Sequence, residues 1–390
     1  MNIQQIRNDT PACKDKLFLN SAGASLMPSV VTQKIYSYLK EEECFGGYKA
    51  AEKYKNEIQD FYNASAQLLN SHSRNISFAF NATDAYARVL SSIPFEKNQI
   101  IITTDDDYVS NYLNFLALKE KYGILIHRIR TMDSGELDMN HFRELATKPG
   151  VALVAVTHVP TNSGLIQDVY SIGKICLKHD LLYLVDACQS VGQLPIDVQE
   201  LHCDFLSVTG RKFLRGPRGT GLLYVSDRVL NMGLAPLFLD LKGADWISED
   251  KFSIIDSAQR YELWELPYAL LLGLKESILY ALDLNLESIR DTNKQLIQRL
   301  NHNLTQIKDI HQHDRGIHKS NILTFHKEGK GLEETTRFLD KNKVYYSVAH
   351  RSNALIDLKK KNREWVIRFS PHYFNTLKEM DQVSELLEAL

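Results

Sequence analysis

Seven short apolar, β-branched runs mark the first 225 residues: Ile76 to Phe80, Gln99 to Thr103, Ile124 to Arg130, Ala152 to Thr157, Leu182 to Asp186, Phe205 to Thr209 and Gly221 to Val225. Between most of them apolar positions recur at helical spacing, as in Ala85 to Ile93, Tyr108 to Tyr122, His141 to Ala146 and Val169 to His179. Strands alternating with helices predict an α/β fold: a seven-stranded, mostly parallel sheet covered by helices on both faces. The last two strands are joined only by the loop Gly210 to Thr220, too short for a helical crossover, so that pair is expected to be antiparallel.

Beyond Val225 the pattern loosens. Tyr261 to Leu282 reads as a turn entering a helix, and Leu286 to Ile307 as a long amphipathic helix linking two domains. Strands are expected at Asn321 to Phe325, Val344 to Val348 and Trp365 to Phe369, and helices at Leu332 to Asn342 and Leu377 to Leu390. Two domains follow: a large one over residues 17–284 and a smaller C-terminal α/β domain over 285–390, with residues 1–16 packing nearby. The basic run Lys359 to Lys361 with Arg363 reads as a solvated turn between strands.

Charge changes this picture little. The 46 basic and 48 acidic residues leave a net charge of -2 and favour no nucleic-acid partner. No apolar stretch approaches the roughly 20 residues of a membrane span. Met1 to Lys16 is polar, unlike a secretory signal, and five scattered cysteines without C-x-x-C spacing suit neither a disulfide framework nor structural zinc, so a reducing cytoplasm is expected. His311, His313 and His318 stand in a polar stretch before a strand, where a surface loop outweighs a metal site.

Chemistry gathers at the strand ends, where open α/β sheets bind their ligands. Asp186-Ala-Cys-Gln189 and Thr209-Gly-Arg211-Lys212 each close a strand. An acid facing a pyridinium nitrogen, and a lysine able to form a Schiff base with an aldehyde, are the parts of a pyridoxal-phosphate site. Thr209 and Arg211 beside the lysine suit a phosphate. Asn81-Ala82-Thr83-Asp84 opens a helix whose amides suit the same anion, although the bland alternative is an N-cap. Tyr108 and His158, at two further strand ends, are expected to face the same crevice.

These residues resemble the class V aminotransferase group of fold-type I pyridoxal-phosphate enzymes, which includes cysteine desulfurases, isopenicillin N epimerases and ergothioneine-pathway sulfoxide lyases. The likeness runs almost end to end. It is most specific at Phe205 to Tyr224, Phe-Leu-Ser-Val-Thr-Gly-Arg-Lys-Phe-Leu-Arg-Gly-Pro-Arg-Gly-Thr-Gly-Leu-Leu-Tyr, which is most similar to the epimerase and sulfoxide-lyase branch. By that resemblance Lys212 is the Schiff-base lysine, Asp186 pairs with the pyridine nitrogen and Gln189 bonds the phenolic oxygen. Ala82, Thr83, Thr209 and Arg211 hold the phosphate, Tyr108 stacks on the ring, and Arg368 binds the substrate carboxylate. His158 stands where many relatives carry asparagine near the phenolic oxygen; a histidine packed at a strand end is an equal alternative. Asn20, Ala22, Tyr48, Arg218, Trp264 and Glu265 complete the candidate substrate wall, Glu265 replacing a threonine that in desulfurases reaches the partner's phosphate. Arg215 is a further candidate for an anionic contact. A homodimer with shared sites is implied.

Desulfurases carry a nucleophilic cysteine shortly before the carboxylate-binding arginine, and here Ala349 to Leu358 holds none. The expected activity is therefore a carbon-sulfur β-lyase on a cysteine derivative, with a sulfoxide conjugate as in ergothioneine biosynthesis in view, releasing pyruvate and ammonia. The alternatives are an epimerase or racemase, then an aminotransferase or persulfide-type desulfurase, and outside enzymology a silent binding protein on the same fold.

Overall fold

The computed structural model describes residues 1–390. Strands β1 (Ile76–Ala79), β2 (Ile100–Thr103), β3 (Leu125–Arg128), β4 (Val151–Thr157), β5 (Tyr183–Asp186), β6 (Phe205–Thr209) and β7 (Gly221–Val225) form one sheet in the order β1-β7-β6-β5-β4-β2-β3. β7 runs antiparallel to β1 and β6, and every other pairing is parallel. The short loop between β6 and β7 thus has the consequence read from its length.

Helices α1 (Ser29–Phe45), α2 (Lys55–Leu69), α3 (Ala82–Ser92), α4 (Val109–Tyr122), α5 (Met139–Ala146), α6 (Val169–Lys178) and α7 (Tyr268–Asp283) surround this sheet. Side chains alternate faces along a strand. Leu153 and Ala155 of β4 join a core with α3 and α4, whereas Val154 and Val156 join the larger core with α2, α5, α6 and α7. α6 lies close against its neighbour: a Cβ on Gly173 would stand 1.9 Å from the Leu201 carbonyl oxygen, so only glycine permits the approach.

A hairpin, β8 (Ala244–Ser248) with β9 (Lys251–Ile254), was not foreseen. Its Trp246, Ile247 and Phe252 are exposed, so no division into inward and outward faces marked it. A second, antiparallel sheet follows, in the order β10 (Ile310–Gln312), β11 (Leu323–Lys327), β13 (Trp365–Phe369), β12 (Ser347–His350). Helices α8 (Leu286–Thr305), α9 (Leu332–Lys341) and α11 (Leu377–Ala389) pack on it around Phe325, Ile367 and Phe369, and α10 (Leu355–Lys360) lies beside it.

The N-terminal segment bonds to this region: Arg7 reaches Glu379 at 2.8 Å, and Leu17–Phe18 pair with Val344–Tyr345. Two readings of this region need correction. His311 lies in β10 rather than in a loop, with His313 directly after the strand, because the β10/β11 register sets His311 opposite His326 and the flat rings stack 5.1 Å apart. Lys359 and Lys360 end α10 rather than a turn, since Leu358 is buried and Asp357 pairs with Lys361 one helical turn on, at 2.8 Å.

Candidate active site

The carboxyl end of the large sheet carries the site. Continuing the alternation of Leu153 and Ala155, Thr157 faces the α3 and α4 side, and so do Asp186 and Thr209 on β5 and β6. Asp186 accepts from Asn111 Nδ2 at 2.9 Å and from the Cys188 backbone amide at 2.9 Å. Asn111 also donates to Asp107 at 3.1 Å, whose carboxylate takes hydroxyl bonds from Thr103 at 2.6 Å and Thr157 at 2.7 Å. Burial pushes the Asp107 carboxyl up to about 6. Asp107 and Asn111 were missed as functional residues, although Asn111 falls one helical turn beyond Tyr108.

A cavity of about 310 Å³ above Asp186 brings together Ala82, Thr83, Tyr108, Thr209, Arg211, Lys212 and Arg218. Asn81 caps α3 by accepting from the Asp84 amide at 2.9 Å, so the start of that helix opens onto the cavity. Arg211 donates to Thr209 Oγ1 at 3.0 Å while its Nε has no partner. Lys212 Nζ lies 5.9 Å from the Tyr108 ring centroid. Burial, reinforced by the charges of Arg211 and Arg368, holds the Lys212 amine below its ordinary range.

A second network adjoins the first. Arg368 donates to the Thr161 carbonyl oxygen at 3.0 Å and to Ser347 Oγ at 3.0 Å, and Ser347 donates to Asn20 Oδ1 at 2.6 Å. Gln189 donates to the Ala22 carbonyl oxygen at 3.1 Å and to Thr161 Oγ1 at 3.3 Å, leaving its Oε1 free. Asn20, Ala22, Gln189 and Arg368 therefore meet through Thr161 and Ser347, which the sequence reading passed over. Burial lowers Arg368 to about 10.

Other candidates lie elsewhere. His158 continues the parity of Val154 and Val156, so its ring turns to the α5 and α6 side and lines a different cavity. Thr161 occupies the place beside Gln189 that His158 was expected to take. Tyr48 is 86% exposed and Trp264 51% exposed; these two and Glu265 stand outside the cavity walls of this chain. Arg215 is fully buried, donating to the Leu26 carbonyl oxygen at 2.8 Å and to Thr10 Oγ1 at 2.6 Å, and is structural.

The sequence profile described as "Aminotransferase class-V" matches residues 17–383. The chain belongs to the class-V aminotransferase family. This class-V chain is 28% identical over its whole length to a probable cysteine desulfurase of Methanothermobacter thermautotrophicus, of which 98% is covered. A second probable cysteine desulfurase, from Pyrococcus abyssi, is 24% identical over 99% of the chain and 97% of that relative. Among solved structures, the apo cysteine desulfurase of Thermococcus onnurineus superposes with a TM-score of 0.91 at 23% identity, covering 99% of this chain and 97% of that one. The cystine C-S lyase C-DES, solved with its product cysteine persulfide, gives 0.87 at 19% identity, covering 97% and 99%.

Pyridoxal phosphate is the cofactor of this class-V enzyme, and the donor set fits it. A buried carboxylate held by two donors, a buried lysine of depressed basicity, an unpartnered Arg211 Nε and an open helix start all converge on one cavity. No helix of the chain is long and apolar enough to cross a membrane.

Proposed function

We propose that the enzyme is a carbon-sulfur β-lyase acting on an S-substituted cysteine. With water, it would convert the substrate to a free thiol or sulfenic acid, pyruvate and ammonium. The observation that carries this reading is the absence of an accessible thiol at the site. The segment over α10 ahead of Arg368 has none, and Cys188, the one cysteine lining the cofactor cavity, is buried with its thiol pushed well up beside Asp186. Cys13, Cys176 and Cys203 are buried, and Cys44 is exposed on α1, away from the cavity. With no accessible thiol in this chain's cavity to take the sulfur, it would leave with its substituent.

Asp186 would hold the pyridine nitrogen, Lys212 the aldehyde carbon, and the α3 start with Thr209 and Arg211 the phosphate. Bound there, pyridoxal phosphate supplies an electron sink for a carbanion at the substrate α-carbon. Arg368, already fixed by Thr161 and Ser347, presents a planar fork to the substrate carboxylate. Lys212, less basic than an ordinary lysine, is available as the neutral amine that takes the α-proton. A thiolate or sulfenate is a good leaving group, so no dedicated acid is needed to expel it.

An epimerase would need a second acid on the opposite face, and the withdrawal of His158 from the cavity removes one candidate. The test is proton NMR of the holoenzyme in heavy water with S-conjugated cysteines and their sulfoxides. Pyruvate formation supports the lyase. Exchange of the α-proton without pyruvate overturns it in favour of the epimerase.

A further inference from the structure

The loop that returns from β6 to β7 carries a cation to which the site has so far given no task. Arg218 is exposed, lines the cofactor cavity, and its side chain makes no hydrogen bond or ion pair within the chain. The backbone beneath it is held firmly. The Gly210 amide donates to the Thr220 carbonyl oxygen at 2.9 Å, the Gly216 amide to the Gly210 carbonyl oxygen at 2.8 Å, and Thr220 Oγ1 to the Pro217 carbonyl oxygen at 2.7 Å. Gly219, at φ 81°, then turns the chain towards β7, a conformation that favours glycine. The root of the Arg218 side chain is therefore fixed at the cavity wall while its guanidinium has no partner.

The cavity is short of negative charge. Asp186 is the only carboxylate on its wall, and Asn111 and the Cys188 amide already engage it. Against it stand Arg211, Arg218 and Lys212. Burial first, and the charge of Arg218 second, hold the Arg211 guanidinium below its ordinary range, and no carboxylate acts on it in compensation. Two guanidinium groups that disfavour one another on one wall call for an anion, and a phosphate dianion matches their combined charge. Position says which anion. Gly221, three residues beyond Arg218, pairs with Thr209 on one side and Ala79 on the other, and a Cβ on it would stand 3.5 Å from Asn81, the cap of α3. Arg218 thus enters the site beside Thr209 and the α3 start. Arg368, the residue offered to the substrate carboxylate, belongs to the Thr161 and Ser347 network and does not line this cavity.

We propose that Arg218 is a second cationic ligand of the cofactor phosphate, sharing the dianion with Arg211, and not part of the substrate wall. The planar fork of each guanidinium suits phosphate oxygens that Thr209 and the α3 amides leave free. The proposal rests on pyridoxal phosphate as the cofactor and not on the reaction the enzyme performs, so it stands or falls apart from the lyase reading.

The test compares two forms of the cofactor. Full-length apo-protein, as wild type, Arg218→Gln and Arg218→Lys, is titrated with pyridoxal phosphate and separately with pyridoxal, which keeps the aldehyde and the ring nitrogen but lacks the phosphate. The absorbance change on attachment to Lys212 reads binding, and circular dichroism checks the fold. Arg218→Gln is expected to weaken pyridoxal phosphate about 10- to 100-fold, the cost of a charge-assisted contact, while leaving pyridoxal within about twofold of wild type. Arg218→Lys, which keeps the charge and loses the fork, should fall between the two; should the glutamine variant misfold, the lysine variant carries the same comparison. Unchanged affinity for pyridoxal phosphate would overturn the proposal, and a raised KM for S-conjugates bearing a second carboxylate would then return Arg218 to the substrate wall. Equal losses for pyridoxal phosphate and pyridoxal would also overturn it, because they would show general support of the site in place of a phosphate contact.

Discussion

Lys212 is buried, and its low basicity follows from that burial first, with the charges of Arg211 and Arg368 adding to it against the opposing pull of Cys188 and Asp186. Lys212→Ala is expected to lower turnover at least about 10³-fold, as loss of a general base does, and to abolish any amino-acid-dependent spectral change. Unchanged turnover in that variant would remove the lysine from the mechanism. Arg368→Lys should raise KM for the amino acid about 10- to 100-fold, because a point charge cannot reproduce the forked contact; steady-state kinetics on an S-conjugated cysteine reads this. Glu262 makes a separate prediction about pH. It is fully enclosed, accepts from the Phe78 amide at 2.6 Å and from Tyr62 Oη at 2.9 Å, and burial pushes it up to about 7 from an ordinary value of 4.5. The folded state therefore keeps a proton that the unfolded chain has released. That contribution, on the order of 3 kcal/mol, is complete below about pH 4.5 and lost as pH rises through about 7. Glu262→Gln should flatten the fall in stability over that window, as measured by urea unfolding at stepped pH; parallel curves for the two proteins would refute it. At this scale the sequence was informative wherever a residue follows a strand directly, as Asp186 and Lys212 do. It left two readings open at His158, and counting faces from Val154 and Val156 favours the one that packs the ring at the strand end, away from the cofactor cavity.

Among the elements, six strands of the large sheet were legible because both of their faces are covered and their apolar residues are continuous, whereas the edge strand β3 is only partly buried. The short loop from Gly210 to Thr220 was enough to give the antiparallel turn between β6 and β7 of the large sheet. The β8–β9 hairpin escaped because nothing in this chain covers it, and its aromatic residues therefore carry no periodic signal. β10 escaped because its polar residues, His311 and Gln312, pair at a sheet edge, where hydrogen bonding sets the strand without burial. The last helix has a stronger local signal. Thr376 and Glu379 form a reciprocal cap at its start, Thr376 Oγ1 accepting from the Glu379 amide at 3.2 Å and Glu379 accepting from the Thr376 amide at 2.9 Å. Thr376→Ala should cost about 1 kcal/mol, read as a lower urea midpoint with an unchanged slope. Thr376→Ser should retain most of it.

At the scale of the whole molecule, one stretch of the chain carries a run of exposed apolar side chains: Leu237, Phe238 and Leu241, followed by Trp246, Ile247 and Phe252 on the hairpin and Trp264 just beyond. Such a surface is costly in water, and the homodimer implied by the family resemblance would cover it. Trp246→Asp together with Phe238→Asp is expected to halve the mass seen by sedimentation equilibrium while leaving the fold intact by circular dichroism. A wild-type protein that sediments as a monomer would end this reading. Trp264 and Glu265 belong to the same question, since they stand outside the cavity walls of their own chain and reach a site only if a second chain brings one to them.

Arg215 has a consequence in time as well as in space. It sits in the left-handed region at φ 63°, four residues from Arg211, and its guanidinium lies 4.9 Å from the Tyr373 ring centroid and 4.7 Å from that of Phe374 while bonding to Leu26 and Thr10. His372 meanwhile bonds the Phe213 carbonyl oxygen at 2.8 Å. The loop that carries Lys212 is thus clasped between residues near the start of the chain and residues near its end. Every strand of the large sheet precedes residue 226, yet the contacts that clasp the lysine's loop come from residues 372 to 374. A chain halted at residue 300 would hold every strand of the large sheet but lack His372, Tyr373 and Phe374, and it is expected to bind pyridoxal phosphate more weakly than the full chain.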